Sequence, residues 1–213
     1  NSDFSKAYKV LSAISIQELI KRDSFESIVK AFRSFIGVEE SLTQLESMKL
    51  EDTIDIPAYA IIRVYLSWEL GREKSVSKWL SRFKRESDKD NYIDYLLGIN
   101  LQRQGLAGEA TGFFLKVSKD SDYFYPARKL IFDHYIDQKE FTKALSIIDE
   151  VLEDPKAPPE FYFLGASVYS EQEKYKQAMP YIEKGYKIYP DQVRFLFLKG
   201  VYQEKLGQIE KAI

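Results

Sequence analysis

"EFYFLGASVYSEQEKYKQAMPYIEKGYKIYP", residues 160–190, decides the fold. Phe161, Leu164, Val168 and Tyr169 recur at the spacing of one helical face. The polar run Ser170 to Lys174 interrupts them. Tyr175, Ala178, Ile182 and Ile188 then mark a second amphipathic helix, and Pro190 ends it. Pro180 sits inside that second pattern. We read the small Ala178 as the start of the second helix, packed on the first, which places Pro180 in the first turn. The first N–H groups of a helix have no intrahelical acceptor, so a proline there loses little. In mid-helix it would cost about 3 kcal/mol.

The pattern repeats. In steps of 34 residues, Ile62 leads to Leu96, Leu130, Leu164 and Leu198. Val76, Ala110, Ala144, Ala178 and Ala212 form a second row, and Leu80, Phe114, Ile148 and Ile182 a third. Ala107, Phe141, Tyr175 and Ile209 make a fourth, while Gly71, Gly105 and Gly207 share one further phase. Gly112 stands two periods before Pro180, and both are expected near a helix start. Between the pairs lie "ESDKD", "SKDSD", "EDPKAPPE" and "YPDQ", whose Asp, Ser and Pro suit turns and helix starts. A fixed period with two helices per unit is the signature of a helical repeat array.

These residues resemble the tetratricopeptide repeat (TPR) family. The match is carried by Leu164, Gly165, Tyr169, Tyr175, Ala178, Ile182 and Pro190, and upstream by Phe141, Ala144 and Ile148. Leu96, Gly98, Leu101, Gly105, Ala110 and Phe114 continue it, as do Gly200, Gly207 and Ala212. Most units lack the family's early Trp, and Gly185 and Phe83 replace its late alanine. The resemblance implies an all-α fold, a right-handed α-solenoid of about five to six helix-turn-helix repeats with the last one truncated. Residues 57–213 would form the solenoid, with units near 57–90, 91–124, 125–158, 159–192 and 193–213. Residues 1–56 would form an N-terminal helical cap. It would combine an amphipathic helix over 3–21 with a degenerate repeat over 23–56, first helix Phe25 to Ile36, second Leu42 to Leu50. A half-repeat at the end is expected to leave Leu196, Leu198 and Tyr202 poorly covered, and the chain to continue past Ile213. Its start at Asn1 suggests an upstream segment, so the compartment stays open.

Composition narrows the chemistry. With 45% hydrophobic residues the chain can bury a core. A formal net charge of −2 gives no global attraction to nucleic acid or an anionic membrane. No cysteine is present, so disulfides, thiolate metal sites and cysteine nucleophiles are excluded. No apolar run reaches the roughly 18 residues of a membrane span. The one histidine, His134, lacks the partners a metal or catalytic site needs. The glycines of Gly105 to Gly112 have neither dinucleotide spacing nor a preceding strand, and "GREKS", Gly71 to Ser75, is not a phosphate loop. No enzyme activity, metal or cofactor is expected in this chain.

In the TPR family the first helix of each repeat, helix A, lines a concave groove that holds a peptide. By that resemblance the groove here takes Ile61, Tyr65, Trp68, Tyr92, Tyr95, Ile99, Gln102 and Arg103, then Lys129, Asp133, Asp137, Phe163 and Ser167. The family's carboxylate clamp is absent, because Ile61, Tyr65, Tyr95 and Ile99 stand in its place. The expected function is a non-enzymatic scaffold that binds a peptide or helix of a partner protein, anchored by aromatic residues. Lys78, Arg82, Arg85 and Lys89 form a basic stripe that could contact an anion. The stripe motivates a second reading, an RNA-binding helical repeat. A third is a docking region whose activity lies beyond residue 213, and a fourth is self-association through the open C-terminal end.

Overall fold

All secondary structure described is helical. The computed structural model describes residue 6 and residues 37–47, 56–86 and 91–208. The helices are α1 (Val38–Ser47), α2 (Ile56–Glu69), α3 (Glu73–Glu86), α4 (Asn91–Arg103), α5 (Ala107–Phe114), α6 (Phe124–Asp137), α7 (Phe141–Leu152), α8 (Pro159–Ser170), α9 (Tyr175–Ile188) and α10 (Val193–Lys205). The chain divides into an N-terminal unit, Asn1–Lys116, with α1 to α5, and a C-terminal unit, Val117–Ile213, with α6 to α10. Apart from residue 6, the expected helix over 3–21 lies outside the described residues. So do the expected helix from Phe25 to Ile36, Lys89, Ile209 and Ala212.

A backbone turn repeats with the sequence period. Gly37, Gly71, Gly105 and Gly207 have φ of 86°, 65°, 78° and 72°. Lys139 (φ 58°) and Glu173 (φ 56°) occupy the same phase, so the left-handed position recurs at 37, 71, 105, 139, 173 and 207. From Gly71 onward each turn closes in the same way. The N–H of Gly105 donates to the Gln102 carbonyl at 3.0 Å, and that of Leu106 to Leu101 at 2.9 Å. Glu173 and Lys174 repeat the pair on Ser170 and Tyr169, both at 2.9 Å. This Schellman closure satisfies carbonyls at the end of helix A while reversing the chain. The next carbonyl then starts helix B, since Leu106, Glu140 and Lys174 accept from Ala110, Ala144 and Ala178. That explains the small-residue row. Ala144 and Ala178 are fully buried and Ala110 nearly so, where helix B first meets helix A.

Within each unit the helices that pack closely are consecutive in the chain. The N-terminal unit buries Val64, Leu66, Trp79, Leu80, Ile93, Leu96 and Phe114. The C-terminal unit buries Phe124, Ile131, Phe132, Ile148, Phe161, Tyr162, Ile182 and Phe195. Full burial of one such side chain stabilises by about 1.5–3 kcal/mol. Three glycines make room for rings. A Cβ on Gly98 would run into the Phe114 ring, and one on Gly185 into the Phe195 ring. On Gly165 it would lie 2.6 Å from Tyr181. Gly185 replaces the family's alanine because Phe195 fills the space.

Two expectations are corrected. Helix α9 begins at Tyr175, so Pro180 lies in its second turn, not its first, and Gly112 holds the same sixth position in α5. Pro180 removes the N–H that would have bonded the Lys176 carbonyl. Its solvent-exposed position lets water satisfy that oxygen, which is why the helix continues. Leu196 is indeed exposed, but Tyr202 is only 5% exposed because its ring packs 5.6 Å from Tyr175 on α9.

Two substitution sets test these points. Gly105→Ala should destabilise by about 1–2 kcal/mol and Lys139→Gly should stabilise, since a side chain in the left-handed region costs roughly that amount. Urea titration with the fold monitored by circular dichroism reads both, and equal effects would remove the turn from the argument. Pro180→Ala should raise stability by on the order of 1–3 kcal/mol in the same titration.

Candidate functional site

In the N-terminal unit, α2 and α4 are the helix A elements of successive repeats, and side chains tie them together. The Tyr65 and Tyr92 hydroxyls share a hydrogen bond of 3.0 Å. The Trp68 indole Nε1 donates to Asn100 Oδ1 at 2.9 Å. Asn100 is 1% exposed, and its Nδ2 donates to Ser77 Oγ on α3 at 2.8 Å. One buried amide therefore fixes the indole and joins three helices. A buried, fully partnered amide of this kind sets orientation, because each lost bond leaves a desolvated polar atom.

The indole N–H is consumed, so Trp68 offers its ring. Tyr65 meets that ring edge-on at 5.4 Å, and the Arg103 guanidinium lies 5.7 Å from its centroid. Tyr65, Trp68, Tyr95, Ile99 and Gln102 are half-buried, and Arg103 is exposed. Tyr95 leans on Phe114 at 5.9 Å. Tyr92 is 7% exposed and approaches this group through its hydroxyl. Beside Arg103 opens a recess of about 780 Å³, lined by Gly71, Arg72, Glu73, Lys74, Ser75 and Gln104. The side chain of Ile61 lies outside the described residues, as do those of Arg82 and Arg85; Lys78 is exposed on α3.

In the C-terminal unit the helix A elements are α6, α8 and α10. Lys129 pairs with Asp133 at 2.9 Å and reaches Glu160 at 4.0 Å. Phe163 stacks on Phe195 with centroids 4.1 Å apart, and the Arg194 guanidinium covers Phe163 at 4.4 Å. Ser167 turns its hydroxyl onto the Leu164 carbonyl at 2.8 Å, and Asp137 is exposed. Sequence reasoning missed Asn100, Ser77 and Arg194. The period carried a signal for one of them, because Arg194 continues the phase of Glu160.

Other tyrosines in this unit act as struts, Tyr125 across its own helix pair and Tyr189 back to the preceding one. Tyr125 donates to Asp154 Oδ2 at 2.7 Å, and Tyr189 to the Ala157 carbonyl at 2.6 Å. Burial, then the Asp154 carboxylate, pushes the Tyr125 phenol up to about 12. The same hydrogen bond holds Asp154 below its usual value. His134 is half-buried beside Tyr135 at 5.7 Å. Among the described residues no His, Asp and Glu cluster could hold a metal ion, and no helix is long and apolar enough to cross a membrane.

Residues 159–192 match the family model of the tetratricopeptide repeat. That stretch is one tetratricopeptide repeat, and the chain shares the fold of solved TPR structures. Solved TPR structures share the fold at low sequence identity. MamA 41-end from Desulfovibrio magneticus RS-1 aligns at TM-score 0.53 and 18% identity, over 74% of this chain and 89% of that one. A second MamA structure gives 0.55 and 14%, over 74% and 86%. YrrB, described as "a TPR protein with an unusual peptide-binding site", gives 0.54 and 16%, over 91% and 95%. No curated protein sequence matches.

The Asn100 network is testable by itself. Asn100→Ala should cost about 1–3 kcal/mol, because it leaves the Trp68 N–H without its acceptor. It should also shift Trp68 fluorescence, read against a Trp79→Phe background. An unchanged spectrum would mean that Asn100 does not orient the indole.

Proposed function

We propose that this chain is a non-enzymatic scaffold that binds a segment of a partner protein on its helix A faces. The observation that carries the reading is Trp68, its indole held by Asn100, with Tyr65 at its edge and the Arg103 guanidinium over its ring. Tyr95, Ile99 and Gln102 on α4 would extend the same contact surface. A rigid aromatic anchor that needs no ordering on binding is what concentrates affinity at an interface. Ile61 belongs to the same face by its phase. The absence of a clamp of lysine, asparagine and arginine favours a ligand gripped through apolar side chains. Arg103 and the neighbouring recess add a basic edge.

The C-terminal unit contributes a different surface. Lys129, Asp133 and Phe163 combine an ion pair with one aromatic ring, which favours a mixed polar segment. A TPR relative of similar fold has a peptide-binding site, in keeping with this reading.

Affinity capture with mass spectrometry tests the proposal, comparing the unaltered chain with Trp68→Ala and Arg103→Ala variants whose melting curves show them folded. Loss of an aromatic anchor typically costs 2 kcal/mol or more, roughly a thirtyfold loss of affinity. Partners should therefore disappear from the Trp68→Ala capture and weaken in Arg103→Ala. Identical captures from all three chains would sink the reading.

A further inference from the structure

The basic stripe of α3 has no part in the groove, yet the two are connected. Arg103 lies over the Trp68 ring and lines the recess that opens beside it. Lys74 lines the same recess from the first turn of α3 and begins the stripe, with Lys78 at i+4. Both lysines are exposed, and Arg82 and Arg85 continue their register along the helix. The cations therefore form one track, from the edge of the groove through the recess onto the exposed face of α3. Two acids offset it at the recess. Glu39 pairs with Arg72 at 2.8 Å. Glu73 is in the lining and opens α3, where the helix's own N–H groups stabilise a carboxylate. Lys74, Lys78 and Arg103 are in no ion pair among the described residues. Beyond Glu73 the helix has no acid until Glu86, its last residue.

Charge and ring placement select the occupant. The stripe from Lys74 to Arg85 spans roughly 16 Å of helix, the reach of about five extended residues. Trp79, on the same helix, is only 7% exposed. A nucleic-acid strand needs rings along its path on which bases stack, and among the described side chains this track offers them only at its Trp68 end. An acidic polypeptide needs the cations alone. We infer that the partner segment couples an apolar residue, seated at Trp68, to a run of about five acidic residues that leaves the groove through the recess and follows α3. This rests on the groove reading of Trp68. Exposed cations on a helix set the selectivity and speed of such an encounter, while the apolar anchor carries most of the affinity.

Two labelled peptides test this, both with a central Leu-Phe anchor, one flanked on each side by about five Glu and the other by about five Gln. Fluorescence anisotropy should show the Glu peptide binding about tenfold tighter at low salt, with the gap closing as salt rises. Lys74→Glu with Lys78→Glu should abolish that preference and leave the Gln peptide unchanged. Both side chains are exposed, so the core is spared. Trp68→Ala should weaken both peptides alike. Equal binding of the two peptides, both weakened by Trp68→Ala, would overturn the acidic run and leave the groove standing. Binding that ignores Trp68→Ala would overturn the groove reading and the inference with it. Binding of neither peptide would overturn the inference and leave the groove to the capture experiment. Tighter binding of a single-stranded RNA of about ten nucleotides, lost in Lys74→Glu with Lys78→Glu, would also overturn it and assign the track to nucleic acid.

Discussion

The structure depends on one backbone turn, repeated at a fixed interval. At positions 71, 105, 139, 173 and 207 the chain enters the left-handed region and closes the end of helix A with the same pair of hydrogen bonds. The next carbonyl opens helix B, so the turn's dihedral and hydrogen bonds constrain the angle between the two helices. Everything lateral follows from that. Ala144 and Ala178 must be small because the turn brings their Cβ atoms against helix A, and Gly98, Gly165 and Gly185 must be bare because rings then fill what is left. Where helices contact mainly their sequence neighbours, a local device repeated at each junction is enough to build the array.

This also explains what the sequence disclosed. The aliphatic and alanine rows are visible because packing demands a size class at each phase, and size classes can be read from letters. The turn is visible only where glycine fills it. Lys139 and Glu173 adopt the same conformation, at φ 58° and 56°, without announcing it. Glycine lowers the cost of a left-handed residue but is not required when the hydrogen bonds on both sides fix the backbone. Pro180 shows the complementary limit. Its place in the repeat was legible, but its distance from the helix start depended on a turn hidden under Glu173.

The candidate site was half legible for a related reason. Phase alone finds which residues of α2 and α4 share a face, so Tyr65, Trp68 and Tyr95 could be named. Phase cannot rank them. The ranking comes from Asn100, a buried polar residue whose letter suggests a turn or a cap but whose amide bridges Trp68 and Ser77. Tyr92 and Tyr65 share one hydroxyl hydrogen bond, and only burial of the ring separates them: Tyr92 is 7% exposed and Tyr65 half-buried. Phase does not disclose that difference.

The same logic applies to Phe163 in the C-terminal unit. Phe163 is held between Phe195 and Arg194, so its ring has partners on both faces and contributes shape. Phe197, one period later, is two-thirds exposed. Arg194 covers the Phe163 ring, so its guanidinium is already ordered by the ring beneath it. Ordering of that kind removes part of the entropic cost of recognition, a cost that the exposed Lys205 at the far end of α10 would still have to meet.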